Sequence, residues 1–282
     1  MFFKKRKTKH FLSIIAIFKN ESHCIEEWIE HYLNEGVDHF YLIDNGSEDD
    51  SVDKIRKYQE KELVSLVHDK TKWSQVELYN QHFLQKKDES EWWLVCDLDE
   101  FLYARKGLDT IVQYLETRNS NIGMIYVPWK MFGSSNYESQ PQSLRQSFIK
   151  RCIYDGKVNP GMNNNLETLG KVLTRTKFLS KIDIHFSKLQ GRFVVEDSRG
   201  IQISLNGSPF ITTSEELLSN AFLHLNHYPI QSKNWFMKVK ANRGAADSKH
   251  HEQIRNREYF EIFDKDSNAL TDNELATKSM NC

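Results

Sequence analysis

An apolar run meets three acidic residues in Trp92-Trp93-Leu94-Val95-Cys96-Asp97-Leu98-Asp99-Glu100-Phe101-Leu102. A short apolar run bounded by polar sequence predicts a strand that is buried on both faces. Asp97 and Asp99 stand two residues apart, so a chain that stays extended would place both carboxylates on one side. Close carboxylates repel each other unless a cation lies between them, and Mg²⁺ or Mn²⁺ commonly bridges carboxylates to phosphates. The pair therefore predicts a metal–diphosphate site, and the alternative is a plain acidic strand end.

Strand and helix patterns alternate on the N-terminal side of this run. Strands are predicted at residues 11–18, 37–44, 63–67 and 92–96, and helices at residues 21–35, 51–61 and 74–85. This alternation predicts an α/β fold with a mostly parallel, Rossmann-like sheet flanked by helices. Ligands of such folds bind outside the carboxyl ends of the strands. The polar segments that fall on that edge are residues 19–21, 44–46 and 97–99.

Composition places the chain among folded globular proteins. Hydrophobic residues make up 39% of the 282 residues, and the formal net charge of −1 gives no field that favours nucleic acid. The four cysteines lack metal-ligand spacing, which fits a reducing cytosol, and no apolar run is long enough for a membrane span. No Gly-rich phosphate motif follows the first strand, which weighs against a P-loop NTPase and a dinucleotide dehydrogenase. We expect a cytoplasmic protein.

Both chain ends differ from the central part in composition. Residues 1–10 carry a basic cluster, which can attract anionic lipid headgroups at the inner face of a membrane or remain a solvated arm. Residues 11–263 are predicted to form the folded domain, and residues 264–282 a polar, disordered tail.

The first predicted helix has candidate residues for both of its ends. Asn20 is a candidate N-cap, and Gly36 is a candidate for the residue at which the helix stops.

Several motifs follow one another in a recognisable order. They are Ile17-Phe18-Lys19-Asn20-Glu21 with Trp28-Ile29-Glu30-His31-Tyr32, then Asp44-Asn45-Gly46-Ser47-Glu48-Asp49, Asp97-Leu98-Asp99-Glu100-Phe101, Trp129-Lys130-Met131-Phe132-Gly133-Ser134-Ser135 and His227-Tyr228-Pro229-Ile230-Gln231-Ser232. In this order they resemble the family 92 and family-2-like glycosyltransferases of the A-type (GT-A) fold, over roughly residues 12–245. That group has a lysine where this chain has Gln231, which leaves a phosphate contact at this position in question.

The resemblance implies a metal-dependent glycosyltransferase. Its donor would be a nucleotide sugar, usually a UDP-sugar held by Mn²⁺ or Mg²⁺, because a divalent ion stabilises charge on the departing diphosphate. The acceptor would be a saccharide or lipid-linked saccharide, as in surface polysaccharide or glycolipid synthesis. Residues 11–105 would form the nucleotide-binding half and residues 106–263 the acceptor half. The alternatives are a nucleotidyltransferase and a non-catalytic saccharide-binding protein of the same fold.

The resemblance also assigns candidate metal ligands. Asp99 is predicted to coordinate the metal most directly, and Asp97 to contact the metal, a metal-bound water or the ribose. His227 would complete the site, and an imidazole ligand suits Mn²⁺ better than Mg²⁺. Alternation in an extended segment places His224 on the opposite face, in the core.

Candidate nucleotide-binding residues come from the other strand ends. Asp44 is predicted to accept hydrogen bonds from the uracil or the ribose, with a turn-forming role as the alternative. Asn20 and Glu21 are candidate nucleotide contacts, and Lys171 could pair with the diphosphate. The histidine of the first helix, His31, is predicted to be structural.

The catalytic base is predicted only for an inverting reaction, which needs a carboxylate near the acceptor hydroxyl. The candidates are Glu167, Glu138 and Asp155, and Glu167 is favoured because it lies in a polar loop just before Lys171. A retaining reaction would need no such base.

Overall fold

The computed structural model describes residues 8–155, 167–204 and 211–278. Most of the predicted basic arm, including Lys4 and Lys7, lies outside these ranges. Cys24, Cys96 and Cys152 are buried free thiols. None of the described helices combines the length and the apolar character that are needed to span a lipid bilayer.

Strands and helices alternate along the described chain. The strands are β1 His10–Phe18, β2 His39–Asp44, β3 Val64–His68, β4 Ser90–Val95, β5 Glu100–Ala104, β6 Ile122–Met131, β7 Lys150–Arg151, β8 Glu167–Thr168, β9 Gly170–Arg175, β10 Leu179–Lys181, β11 Lys188–Leu189, β12 Val194–Asp197, β13 Ile211–Thr212, β14 Leu223–His227 and β15 Leu270–Thr271. The α-helices are α1 Ile25–Asn34, α2 Ser51–Gln59, α3 Gln75–Phe83, α4 Ile111–Glu116, α5 Leu144–Ser147, α6 Glu215–Asn220, α7 Lys233–Trp235, α8 Lys249–Ile254, α9 Arg257–Ser267 and α10 Glu274–Thr277. A π-helical turn, Phe236–Lys240, follows α7 directly.

One mixed sheet organises the molecule. Its order is β3-β2-β1-β4-β9-β6-β14-β5, and β12 pairs with β6 outside this path. Five of its eight strand pairings are parallel, including all those among β1 to β4. The predicted α/β class with a mostly parallel sheet is confirmed. Strands of both predicted halves of the domain share this sheet.

Side chains of β1 alternate between two apolar layers. Ile14 and Ala16 belong to the large core that includes α1 and α2, whereas Ile15 and Ile17 pack in a smaller core with α3. Because successive side chains of a strand point to opposite faces, a strand between two helical layers must be apolar throughout. This explains why the predicted buried strands have continuous apolar sequences.

The second half of the sheet combines antiparallel and parallel pairings. β5 follows the acidic turn immediately and pairs antiparallel with β14, so that Glu100 is opposite His227 in the register. β9 runs antiparallel between β4 and β6. These pairings join segments that are far apart in sequence, and single-segment hydrophobic patterns carry no information about them.

The first helix begins later than predicted. α1 starts at Ile25 with Cys24 as its N-cap, so the prediction that Asn20 caps it is wrong. Asn20 adopts a positive φ of 54°, and its Oδ1 accepts a hydrogen bond from the Glu48 amide at 2.8 Å. Its side chain therefore joins the loop after β1 to the loop after β2. Gly36 does follow the helix end, with a φ of 90°.

The predicted polar tail is ordered over its described part. Residue 264 lies inside α9, and β15 pairs antiparallel with β7. In α10, Leu275 is buried, and Glu274 accepts from Arg105 Nε at 2.7 Å. The sequence-based expectation of disorder was wrong for residues 264–278, because a few apolar and charged anchors hold an otherwise polar segment.

Candidate functional site

The carboxyl ends of β1, β2 and β4 open onto a cavity of about 530 Å³. This is the edge of the sheet at which the sequence predicted ligand binding. Strand ends and their following loops form part of the lining, and residues 240–263 contribute much of the rest. The charged side chains and histidines of the lining are Lys19, Glu21, Glu48, Lys70, Lys72, Asp97, Asp99, His185, His227, Lys240, Arg243, Asp247, His251, Glu252 and Arg255.

Asp97 and Asp99 lie in the tight turn between β4 and β5. The Glu100 amide donates to the Asp97 carbonyl at 3.1 Å, so the chain is no longer extended at this point. Both side chains line the cavity, but their carboxylates contact different lysines. The turn therefore separates the two acidic groups that an extended chain would have aligned.

Asp99 forms the more buried half of the site. Its Oδ2 accepts a hydrogen bond from Lys240 Nζ at 2.7 Å, and its Oδ1 lies 3.5 Å from His227 Nε2. Burial by itself would raise the pKa of the Asp99 carboxyl, but Lys240 and His227 outweigh burial and hold that pKa well below its usual value. Asp99 is therefore an anion at neutral pH.

Asp97 and Glu100 form an acidic pair beside Asp99, and both contact Lys171. Asp97 Oδ2 accepts from Lys171 Nζ at 2.9 Å, and Lys171 Nζ lies 3.5 Å from Glu100 Oε2. Glu100 is fully buried and accepts from Trp129 Nε1 at 2.6 Å. Burial raises the pKa of Glu100 to about 7, although Lys171 opposes the rise. Lys171 thus lies beneath the cavity, where it compensates both carboxylates.

An aromatic wall faces the acidic turn. The rings of Trp129 and His227 are 4.4 Å apart, and that of His185 is 5.2 Å from Trp129. His185 Nδ1 lies 3.0 Å from the Gly170 carbonyl, while burial and Lys171 lower the pKa of His185 to about 4. His185 is therefore neutral at physiological pH and donates through Nδ1, which leaves Nε2 as an acceptor.

The two histidines of β14 separate as the sequence predicted. His227 lines the cavity, whereas His224 is buried, with Nδ1 3.1 Å from Lys130 Nζ and Nε2 2.7 Å from the Leu218 carbonyl. His31 is also in the core, 2.7 Å from the Leu102 carbonyl, which confirms its structural role.

The residues predicted to contact the nucleotide differ in whether they line the main cavity. The Asp44 carboxylate accepts from the Ser47 amide at 2.8 Å and lies 3.0 Å from His68 Nδ1. Among the described residues, Glu21 lines the main cavity, and Asn20 lines a smaller neighbouring pocket. Asp44 lines neither, although Asn45 directly after it lines the cavity. A nucleotide role for Asp44 and Asn20 stays a prediction.

The predicted catalytic bases do not meet at the cavity in the described chain. Glu138 is exposed and lies 3.7 Å from Lys233, and Asp155 is also exposed. Neither is among the described lining residues. The backbone of Glu167 forms part of β8, but its side chain lies outside the described residues.

Sequence reasoning missed the cations of the C-terminal part. Lys240 ends the π-helical turn, Arg243 follows one turn later, and Arg255 comes directly after α8. All of them line the cavity. Gln231, where the resemblance expected a lysine, is fully buried against Gln140 and His23. The positive charge of the site thus comes from Lys240, Arg243 and Arg255, which follow position 231 in the chain, and not from position 231 itself.

A divalent cation can be tested against the ligand atoms present. Two donors bound to one ion at about 2.1 Å lie roughly 3.0–3.5 Å apart, so the separation of Asp99 Oδ1 and His227 Nε2 fits a shared ion. Asp97 does not complete a group of three with them. In the described chain, the one such group with all ligand atoms within 4.8 Å is Glu21, His23 and Cys24. The structure therefore brings together two of the three predicted metal ligands, Asp99 and His227. The Lys240 ammonium, which contacts Asp99, would compete with a metal ion for this carboxylate.

The comparison with solved structures finds weak similarities. S. aureus TarS has 18% identity and a TM-score of 0.38, covering 60% of this chain and 29% of that one. Its 1–349 fragment in complex with UDP has 17% identity and a TM-score of 0.35, covering 60% and 47%. Glucosyl-3-phosphoglycerate synthase from Mycobacterium tuberculosis has 14% identity and a TM-score of 0.31, covering 60% and 58%.

Two plant proteins and one family model match the sequence itself. A glycosyltransferase family 92 protein of Ricinus communis is 25% identical over 143 residues, which cover 47% of this chain and 24% of the relative. One of Oryza sativa subsp. japonica is 23% identical over 141 residues, covering 49% and 24%. The chain spans about a quarter of the length of either plant protein. The family model matches residues 12–258, which include the acidic turn, His227 and the C-terminal cations. The predicted family is thereby confirmed, and the chain belongs to glycosyltransferase family 92.

Proposed function

We propose that the chain transfers a sugar from a nucleotide sugar, with a UDP-sugar as the favoured donor, to a saccharide or lipid-linked saccharide. Family membership supports glycosyl transfer. The observation that carries the finer proposal is the meeting of Asp99, His227 and three C-terminal cations in one cavity at the carboxyl edge of the sheet. Surface polysaccharide or glycolipid synthesis is the process in which we expect this reaction.

The arrangement suits the departure of a diphosphate. When the bond from sugar to phosphate breaks, negative charge builds on the leaving diphosphate and must be stabilised. The cavity supplies ammonium and guanidinium groups for this purpose, and its aromatic wall lies beside the acidic turn. Trp129 Nε1 is bound by Glu100, which fixes the indole ring where it can pack against a sugar.

Asp99 and His227 are the residues that would hold a divalent ion. Such an ion would act as a Lewis acid toward the diphosphate. An imidazole beside a carboxylate favours Mn²⁺ over Mg²⁺. His227 Nε2 is the nitrogen that faces Asp99, and Nδ1 is buried without a hydrogen-bond partner among the described residues.

The proposed reaction is tested by product analysis. The chain is incubated with UDP-glucose, UDP-galactose or UDP-N-acetylglucosamine, Mn²⁺ and a panel of saccharide acceptors, and the nucleotide products are separated. We expect release of UDP that depends on the acceptor. A parallel incubation contains a nucleoside triphosphate and a sugar phosphate, and release of pyrophosphate there would identify a nucleotidyltransferase instead. Saccharide binding without turnover of any donor would identify a binding protein.

The two β14 histidines give a matched test of metal binding. His227→Ala should weaken Mn²⁺ binding by about 10- to 100-fold, because a ligand is lost. His224→Ala should leave Mn²⁺ affinity within about 3-fold but lower stability, since His224 belongs to a buried hydrogen-bond network. Mn²⁺ affinity measured by electron paramagnetic resonance and urea unfolding separate the two effects. Equal Mn²⁺ affinity in wild type and His227→Ala would return His227 to a packing role.

A further inference from the structure

Three cations of the C-terminal part form a group that we call the basic trio: Lys240, Arg243 and Arg255. They come from the π-helical turn, from the loop after it and from the end of α8. All three line the same cavity as Asp99. The partners of each cation indicate whether it stabilises the structure or is available to a ligand.

The partners of the trio differ in one respect. Lys240 donates to Asp99 at 2.7 Å, and Arg243 pairs with Glu21 while also donating to the Lys19 carbonyl at 3.0 Å. Arg255 donates to the Gly244 carbonyl at 2.9 Å. No carboxylate among the described residues lies within the 4.0 Å of a salt bridge to Arg255. Two of the three cations therefore contact a carboxylate directly, whereas Arg255 lines the cavity without a salt bridge in the described chain.

The carboxylates that act on Arg255 from a longer distance, Asp247 and Asp99, have closer partners of their own. Asp247 pairs with His251, and Asp99 pairs with Lys240. Arg255 is partly buried, and burial together with Arg243 lowers its pKa. A partly buried cation beside a second cation is unfavourable unless an anion joins them. Guanidinium groups match the oxygens of phosphate in a bidentate geometry, so a phosphate is the anion that this position fits.

Building on the proposed function, we propose that the basic trio binds the diphosphate of the nucleotide-sugar donor and of the nucleoside diphosphate product, with Arg255 contacting phosphate directly. Lys240 and Arg243 already have carboxylate partners in the cavity. Arg255 is the member without a salt bridge in the described chain, and its substitution is therefore the most direct test. Because the trio belongs to the protein, part of the diphosphate affinity should persist without a divalent ion.

The test measures binding by calorimetry in the presence of a chelator. The probes are pyrophosphate, UDP and UMP, and the variants are Arg255→Gln, Arg255→Lys and the control Arg257→Gln. Arg257 is exposed, pairs with Glu261 and is not among the described lining residues. Arg255→Gln should weaken UDP and pyrophosphate binding by about 10- to 100-fold, and UMP binding by less, because a bidentate charged contact to phosphate is lost. Arg255→Lys should be intermediate, and Arg257→Gln should match wild type.

Thermal unfolding of the same variants separates a ligand role from a structural one. Arg255→Gln should leave the melting temperature unchanged or raise it, because it removes a partly buried cation that lies beside Arg243 and has no salt bridge in the described chain. A lowered melting temperature with unchanged pyrophosphate affinity would overturn the proposal and make Arg255 structural. Wild-type-like binding of UDP by Arg255→Gln would also overturn it, while the proposed function would stand. Failure of wild type to bind any nucleoside diphosphate, with or without Mn²⁺, would reject the proposed function itself.

Discussion

Replacing Asp99 by asparagine is expected to lower donor turnover by on the order of 10²-fold or more, or about 3 kcal/mol of transition-state stabilisation. Asparagine keeps the shape of the side chain but removes the negative charge that Lys240 and His227 maintain. The loss should appear in kcat rather than only in KM, because the charge on the leaving diphosphate develops in the transition state. Steady-state kinetics with the best UDP-sugar found in the product analysis measures it.

Two controls protect this result against a general loss of structure. Asp69→Asn removes another carboxylate at a strand end, which pairs with His82 at 2.8 Å and is not among the described lining residues. It should leave turnover within about 3-fold of wild type. Asp99→Asn/Lys240→Met removes the buried ammonium that Asp99→Asn leaves without its partner, and it should recover stability but not turnover. Near-normal turnover in folded Asp99→Asn would refute the role of Asp99.

The sequence predicted the part of the fold that depends on local patterns. Apolar runs predict the burial of β1, β2 and β4, whereas β3 is only partly buried, and the helices between the strands show amphipathic spacing. The edge that carries Asp97 and Asp99 then follows from the rule for parallel sheets. The choice of His227 over His224 needed only the alternation of a strand together with a family motif.

The rest depends on contacts between distant segments. Lys240 reaches Asp99 across 141 positions of the sequence, and no periodicity marks such a pair. β5 could not be predicted from the acidic turn alone, because its partner β14 lies more than a hundred residues later. The order of residues 264–278 likewise rests on pairing with β7, which is only two residues long.

The role of Lys171 shows how structure changes a prediction based on resemblance. The resemblance implied a contact from Lys171 to the diphosphate. In the structure, its ammonium lies against Asp97 and Glu100 and is almost fully buried. Burial would lower the pKa of Lys171, but these carboxylates more than offset burial and raise it. This arrangement predicts that Lys171 acts mainly on stability, by keeping the acidic turn electrically balanced.

Lys171→Met is accordingly expected to lower the free energy of unfolding by about 3–5 kcal/mol, because it leaves the buried Glu100 and the half-buried Asp97 without their cation. Urea unfolding followed by fluorescence measures the change. The matched control is Lys181→Met, which removes an exposed lysine and should alter stability by no more than about 0.5 kcal/mol. Lys171→Met/Glu100→Gln should recover part of the loss, since it removes the buried charge that lost its partner.

The loss should also depend on pH in a defined direction. The pKa of Glu100 in the folded protein is raised to about 7 from an ordinary value of 4.5, so protonated Glu100 stabilises the fold at low pH. That contribution disappears as the pH rises through about 7, and removal of Lys171 shifts the pKa of Glu100 further upward. Lys171→Met should therefore lose more stability at pH 8.5 than at pH 6. If the variant instead kept wild-type stability at both pH values but bound pyrophosphate more weakly, Lys171 would be a phosphate ligand, as the family resemblance implied.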